Sequence, residues 1–220
     1  MFRNKVGAGS SPYGRRHGNG AEQMSEACGV PQEGDGVRSS GWGPLSALPG
    51  NPLMWVLIAS ELAVFALALA GYAGARAKDP SGFAAAQDQL DRVAGTINTA
   101  TLLTSGLFAA LANEARRNGD RGWARWSLLA AAALGCLFLL VKGFEYGGEI
   151  AAGNDIDSSP FFTLYFLVTG FHALHVILGI GILAVVAFFD SKENIETGTA
   201  FWHMVDLIWI VVFPSFYLLR

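Results

Sequence analysis

The sequence predicts an all-α fold: an integral membrane bundle of five transmembrane helices behind a disordered N-terminal tail. Three observations predict it. Hydrophobic residues make up 52% of the 220-residue chain and charged residues only 15%, where about a quarter is usual in a soluble domain. The apolar residues gather in five runs, each long enough to cross a hydrocarbon core of ~30 Å. The charges cluster between those runs.

Residues 1–50 form a separate tail, and 51–220 the transmembrane domain. The tail is rich in Gly and Ser and has no apolar run of h-region length. No cleavable signal peptide is therefore expected. Disorder is expected, because so little apolar surface cannot offset the entropy of ordering. Met24 offers a second possible start. The net charge of −3 gives no basic footprint for nucleic acid. The two cysteines, Cys28 and Cys136, form no CxxC or other paired motif, so neither a disulfide framework nor a zinc site is implied.

The first span is expected over 53–72. Asn51 stands as N-cap and Pro52 at the first helical position, where its missing N–H does no harm. The second, over 93–112, is rich in Gly, Ala, Ser and Thr, which let membrane helices approach closely. The third covers 123–146. The fourth covers 160–189, opened by Ser159-Pro160, and is long enough to tilt or to extend into water. The fifth covers 198–219, where Pro214 is expected to kink the last turns.

Basic residues orient these spans. The tail carries Arg3, Lys5, Arg15, Arg16 and Arg38, and the second loop carries Arg116, Arg117, Arg121 and Arg125. The third loop has Glu149, Asp155 and Asp157 and no basic residue. The expectation is a cytoplasmic N-terminus and an external C-terminus. The first loop, with Arg76, Lys78 and Arg92, runs against it.

Ionisable residues inside hydrocarbon are costly and default to functional candidates. Every span but the second contains them: Glu61 in the first, Lys142 and Glu145 in the third, His172 and His175 in the fourth, His203 and Asp206 in the fifth. Each i, i+3 pair shares one helix face and can point into the bundle. Three readings are open. The His pair and His-x-x-Asp could bind a metal, although the doubled Glu-x-x-His of di-iron bundles is absent. The carboxylates could form a proton or ion path. Most economically, the polar groups join helices, with Lys142 and Glu145 neutralising one another. Trp55, Trp123, Trp126, Trp202 and Trp209 are expected mostly near span ends, in the interfacial belt. No phosphate loop, nucleophile elbow, haem-attachment motif or catalytic triad is visible, and no catalytic residue is assigned.

Several stretches, in order, resemble subunit III of the haem-copper oxidase superfamily. They are "WVLIASELAVFALALAGY" with its Ser60-Glu61 pair, "INTATLLTSG", "KGFEY" with Glu145-Tyr146, "TGFHALHVILG", and the closing "FWHMVDLIWIVVFPSFYL". Longer members have seven spans, of which this chain resembles the last five. The resemblance implies a non-catalytic membrane subunit, embedded in lipid, that packs against a catalytic subunit, stabilises it and supports proton uptake. It implies that haem and copper reside in partner subunits, and that His172, His175 and His203 are not redox ligands. Glu61 is then the foremost functional candidate, since its own helix offers it no partner. The implied location is a bacterial plasma membrane.

The chain also resembles, in length, short five-span proteins associated with nitric oxide reductase, which would make it an accessory protein in denitrification. A stand-alone metalloenzyme using the His/Asp set and a small transporter are the readings from other classes. No internal repeat supports transport.

Overall fold

A computed structural model describes residues 52–189 and 191–219. The expected tail lies outside the described residues. All regular structure among them is helical. Helix α1, Pro52–Lys78, ends with Arg76 and Lys78 in its last turn, where cations suit the helix dipole. Helix α2, Pro80–Gln87, is a short helix inside the first loop. Asp79 caps it by accepting the Gly82 N–H at 3.0 Å, and Pro80 sits at its start. Helix α3, Arg92–Arg117, is capped by Asp91, which accepts the N–H groups of Val93 and Ala94. Helix α4, Arg121–Ala151, follows a turn containing Gly119 at φ 87°. Helix α5, Pro160–Phe188, starts at Ser159, whose hydroxyl accepts the Phe162 N–H. Helix α6, Lys192–Phe213, is capped by Ser191.

Five of these helices are long and apolar enough to cross a membrane. Several exceed the expected spans: α1 continues six residues past 72, α4 runs on to Ala151, and α6 begins at Lys192 rather than 198. The reason is physical. An apolar window marks where hydrocarbon begins, but a helix continues into water until a cap or turn residue stops it. Pro214 produces a π-helical turn, Pro214–Leu218, closed by the Leu219 N–H on the Pro214 carbonyl at 2.8 Å. The missing proline N–H explains why the regular ladder stops there.

Helices α3, α4, α5 and α6 each pack on two neighbours, in the cyclic order α3–α4–α5–α6. Helix α1 lies against α5 and α6 at the edge; only 6% of its apolar window is buried, against 61% for the last span. Phe83 of α2 meets Tyr72 and Phe161 edge-on at 5.7 Å, closing one end of the bundle.

Between membrane helices, close packing and polar contacts replace the hydrophobic drive. Trp202 shows how. Its ring lies against Gly135 of α4 and Gly179 of α5, where an added Cβ would come within 2.7 Å of the indole at either position. Its N–H donates to Ser105 Oγ of α3 at 3.0 Å, and Ser105 donates to the Ala131 carbonyl of α4 at 2.7 Å. One side chain thus joins all four central helices. Trp209 donates likewise to Thr99 at 3.0 Å. Both tryptophans are fully buried, which corrects the interfacial expectation for them. Each indole N–H finds an internal oxygen, so neither needs the headgroup region. Trp55, Trp123 and Trp126 are exposed.

Candidate functional site

The seven ionisable residues singled out from the sequence fall into three clusters and one isolated ring. The first cluster joins α1 to α5. Glu61 Oε2 lies 3.0 Å from His175 Nε2, and His175 Nδ1 lies 2.8 Å from the Phe171 carbonyl. A carbonyl only accepts, so Nδ1 carries a proton. A hydrogen bond between Nε2 and the carboxyl then needs one further proton, held either as Glu61 O–H or as imidazolium N–H. The pair is net neutral in both forms. Glu61 thus has its partner on another helix. Phe65 and Phe171 meet the His175 ring edge-on at 5.4 and 4.7 Å.

The second cluster joins α4, α5 and the C-terminal π turn. Lys142 Nζ donates to Glu145 Oε2 at 3.2 Å, Tyr165 OH at 2.9 Å and Tyr217 OH at 2.6 Å. Both phenols donate in turn to Glu145 Oε1. All three ammonium hydrogens and both carboxylate oxygens are therefore used. The ion pair is almost wholly buried, with 2% and 4% of the side chains exposed. Tyr146, Tyr165, Trp209 and Tyr217 place their rings around the ammonium at 4.7–5.4 Å, adding cation–π attraction. A closed network is what makes a charge pair tolerable in low dielectric. At its edge a cleft lined by Asp91, Glu145 and Glu149 opens toward one end of the bundle.

The third cluster is His203 and Asp206 on α6. Their nearest atoms are 3.8 Å apart, too far for a hydrogen bond. Asp206 Oδ1 is buried with no hydrogen-bond partner among the described residues. The carboxylate lies against Gly106 of α3, where a Cβ would come 2.1 Å from Oδ2.

His172 stands apart. It is fully buried, and neither ring nitrogen has a hydrogen-bond partner among the described residues. Its ring stacks on Trp209 at 5.0 Å and meets Phe138 edge-on at 5.8 Å. Of the two histidines of α5, His175 bridges helices by a hydrogen bond, while His172 joins them by ring packing. Among the described residues no three His, Cys, Asp or Glu side chains converge as a metal site would require.

The sequence reading missed Tyr165 and Tyr217, which complete the Lys142 network, and Gly106, which seats Asp206. A buried Lys-x-x-Glu needing more donors was the available signal for the phenols. Nothing local pointed to Gly106.

Fold and clusters together define a class: a multi-span helical membrane protein whose helices are joined through ionisable and polar side chains in its interior. Comparison with known proteins narrows this. Residues 76–219 match the family model of cytochrome c oxidase subunit III. A probable cytochrome c oxidase subunit 3 of Nocardia farcinica is 28% identical over 206 residues, covering 90% of this chain and all of the relative. A probable cytochrome c oxidase subunit 3 of Mycobacterium bovis is 31% identical over 174 residues, covering 75% of this chain and 85% of the relative. A cytochrome c oxidase subunit 3 of Schizophyllum commune is 35% identical over 128 residues, covering 54% of this chain and 47% of the relative. The chain belongs to the cytochrome c oxidase subunit III family. The family match begins at Arg76, so α1 up to that point, with Glu61, lies outside it.

Proposed function

We propose that this chain is the non-catalytic third subunit of a respiratory haem-copper oxidase, packing against the catalytic subunit, stabilising it and supporting proton uptake. The observation that carries the reading is the subunit III match, which takes in α2 to α6 and the π turn. The nitric oxide reductase reading is not favoured: the relatives described above bear cytochrome c oxidase names. Haem and copper belong to the partner subunits, and this chain's histidines hold neither. His175 and the Lys142 network support that part, because their polar atoms are occupied by protein groups.

The chain's own residues act by fixing helix positions. Glu61–His175 fastens the edge helix α1 to α5. Lys142, Glu145, Tyr165 and Tyr217 fasten the C-terminal turn to α4 and α5. Glu61, with 24% of its side chain exposed, is the group to which we assign proton exchange with the neighbouring subunit.

The location is the plasma membrane of a bacterium, with the N-terminus in the cytoplasm. Arg116, Arg117, Arg121 and Arg125 gather at the turn between α3 and α4, which faces the cytoplasm in this topology. At the opposite end, Arg92 pairs with Asp88 at 2.5 Å and Arg76 donates to the Leu219 carbonyl at 2.5 Å. Two of the three basic residues of the first loop, Arg76 and Arg92, are thus held by protein partners.

The test is removal of the chain from its own host. Membranes lacking it should keep haem-copper subunits that turn over more slowly or inactivate sooner during oxygen reduction, with recovery on re-expression. Unchanged oxygen consumption with altered nitric oxide reduction would reject the oxidase assignment.

A further inference from the structure

We propose that the α3–α6 face around His203 docks a membrane-spanning helix of the catalytic subunit, with the His203 imidazole as the polar contact at its centre. The proposal rests on the subunit reading above and names the surface through which it acts.

His203 lies near the middle of the Lys192–Leu218 span, about 16 Å along the helix from its start. Its side chain is 46% exposed. Its exposed neighbours are apolar: Leu207 and Ile210 on α6, and Leu103 and Leu107 on α3, either side of Gly106. If hydrocarbon covered this face, a half-exposed imidazole would sit in it at the depth where polar groups cost most. Lipid headgroups lie too far along the membrane normal to reach it.

The other ionisable pairs of the interior contrast with this one. Glu61 and His175 hydrogen-bond directly, and Lys142 and Glu145 share a closed network with two phenols. Only His203–Asp206 combines an opening to the outside with missing hydrogen bonds among the described residues. The exposed member of this pair, His203, is therefore the one that a partner can reach.

The site is also shaped. Gly106 leaves room for the Asp206 carboxylate directly against the α3 backbone, where alanine would collide. From that seat the carboxylate faces His203 Nδ1, the nitrogen 3.8 Å away. A small shift under a partner would close that gap, fix the proton on Nδ1 and leave Nε2 to meet the partner. The fitting partner is a transmembrane helix with small residues for close approach and one hydroxyl or amide side chain at mid-membrane depth.

The experiment uses the intact complex in native membranes. A photo-crosslinking amino acid is placed at Leu207, or as control at Leu178 on α5, which is also exposed. Illumination should join position 207, not 178, to the catalytic subunit. In parallel, His203→Leu should lower retention of the chain on the haem-bearing subunit about tenfold in a detergent wash, and His203→Asn should restore most of it. Crosslinking of 207 to a second copy of this chain, or to lipid alone, would overturn the proposal, as would wild-type retention of His203→Leu. Co-purification with the haem-bearing subunit is scored in the same samples. If it persists while 178 is the position that crosslinks, the docking face is wrong and the subunit reading stands. If co-purification itself is absent, both fall.

Discussion

Tyr217 of the C-terminal turn sets its hydroxyl 2.6 Å from Lys142 Nζ, and the same hydroxyl donates to Glu145. The last turn of the chain is thereby latched to α4 through a buried ion pair. Tyr217→Phe should destabilise the bundle by about 1–3 kcal/mol, because it leaves buried partners unmet. Lys142→Met alone should cost about 3–5 kcal/mol by stranding a carboxylate, and Lys142→Met with Glu145→Gln markedly less. Thermal denaturation in detergent measures all three. Additive losses in the double variant would show that the two residues act independently.

Glu61 and His175 make a second coupling, between α1 and α5. Glu61→Gln can still donate to His175 Nε2 and should preserve assembly. Glu61→Ala should weaken it by about 1–2 kcal/mol. If the shared proton matters, Gln should also change turnover or inactivation of the catalytic subunit. Assembly and turnover are measured in one membrane preparation. Wild-type behaviour of both variants would remove any role for Glu61.

Gly179 and Gly181 sit close together on α5 but meet different surroundings. A Cβ at 179 would press on the Trp202 ring at 2.7 Å, while one at 181 meets nothing within 4 Å. The Trp202 ring is held by Ser105 and by Gly135 behind it, so it has little room to yield. Gly179→Ala should therefore cost about 1–3 kcal/mol and Gly181→Ala close to nothing. Equal melting temperatures for the two variants would contradict the packing described for the bundle centre.

The five spans were legible because hydrocarbon imposes one simple requirement, length of apolar sequence. Their ends were less so: the charged first turn of α6, Lys192 and Glu193, is helical although outside the membrane window. Helix α2 leaves only a local signal, Asp79-Pro80, a cap followed by a helix-starting proline, because eight residues are too few to form an apolar span. The ionisable residues were found one by one, since each is conspicuous in an apolar run. Their partners were not. The pairing of Glu61 with His175 spans 114 positions and depends on how α1 lies across α5. Trp202 and Trp209 look interfacial in sequence, and only the small residues facing them in the folded bundle explain their burial.

Orientation is testable at Ser158, exposed in the turn between α4 and α5. With Cys28 and Cys136 changed to Ser, Ser158→Cys should react with an impermeant maleimide from outside intact cells. Labelling only in inverted vesicles would reverse the topology.

The central claim is that this chain assists a metal-bearing partner and carries no redox metal of its own. Iron and copper analysis of the purified complex, followed across separation of its subunits, tests it most directly. The account predicts haem iron and copper in the intact complex, all of it leaving with the partner, and none with this chain. About one metal ion remaining with the isolated chain, and lost in His172→Ala or His203→Ala, would contradict it.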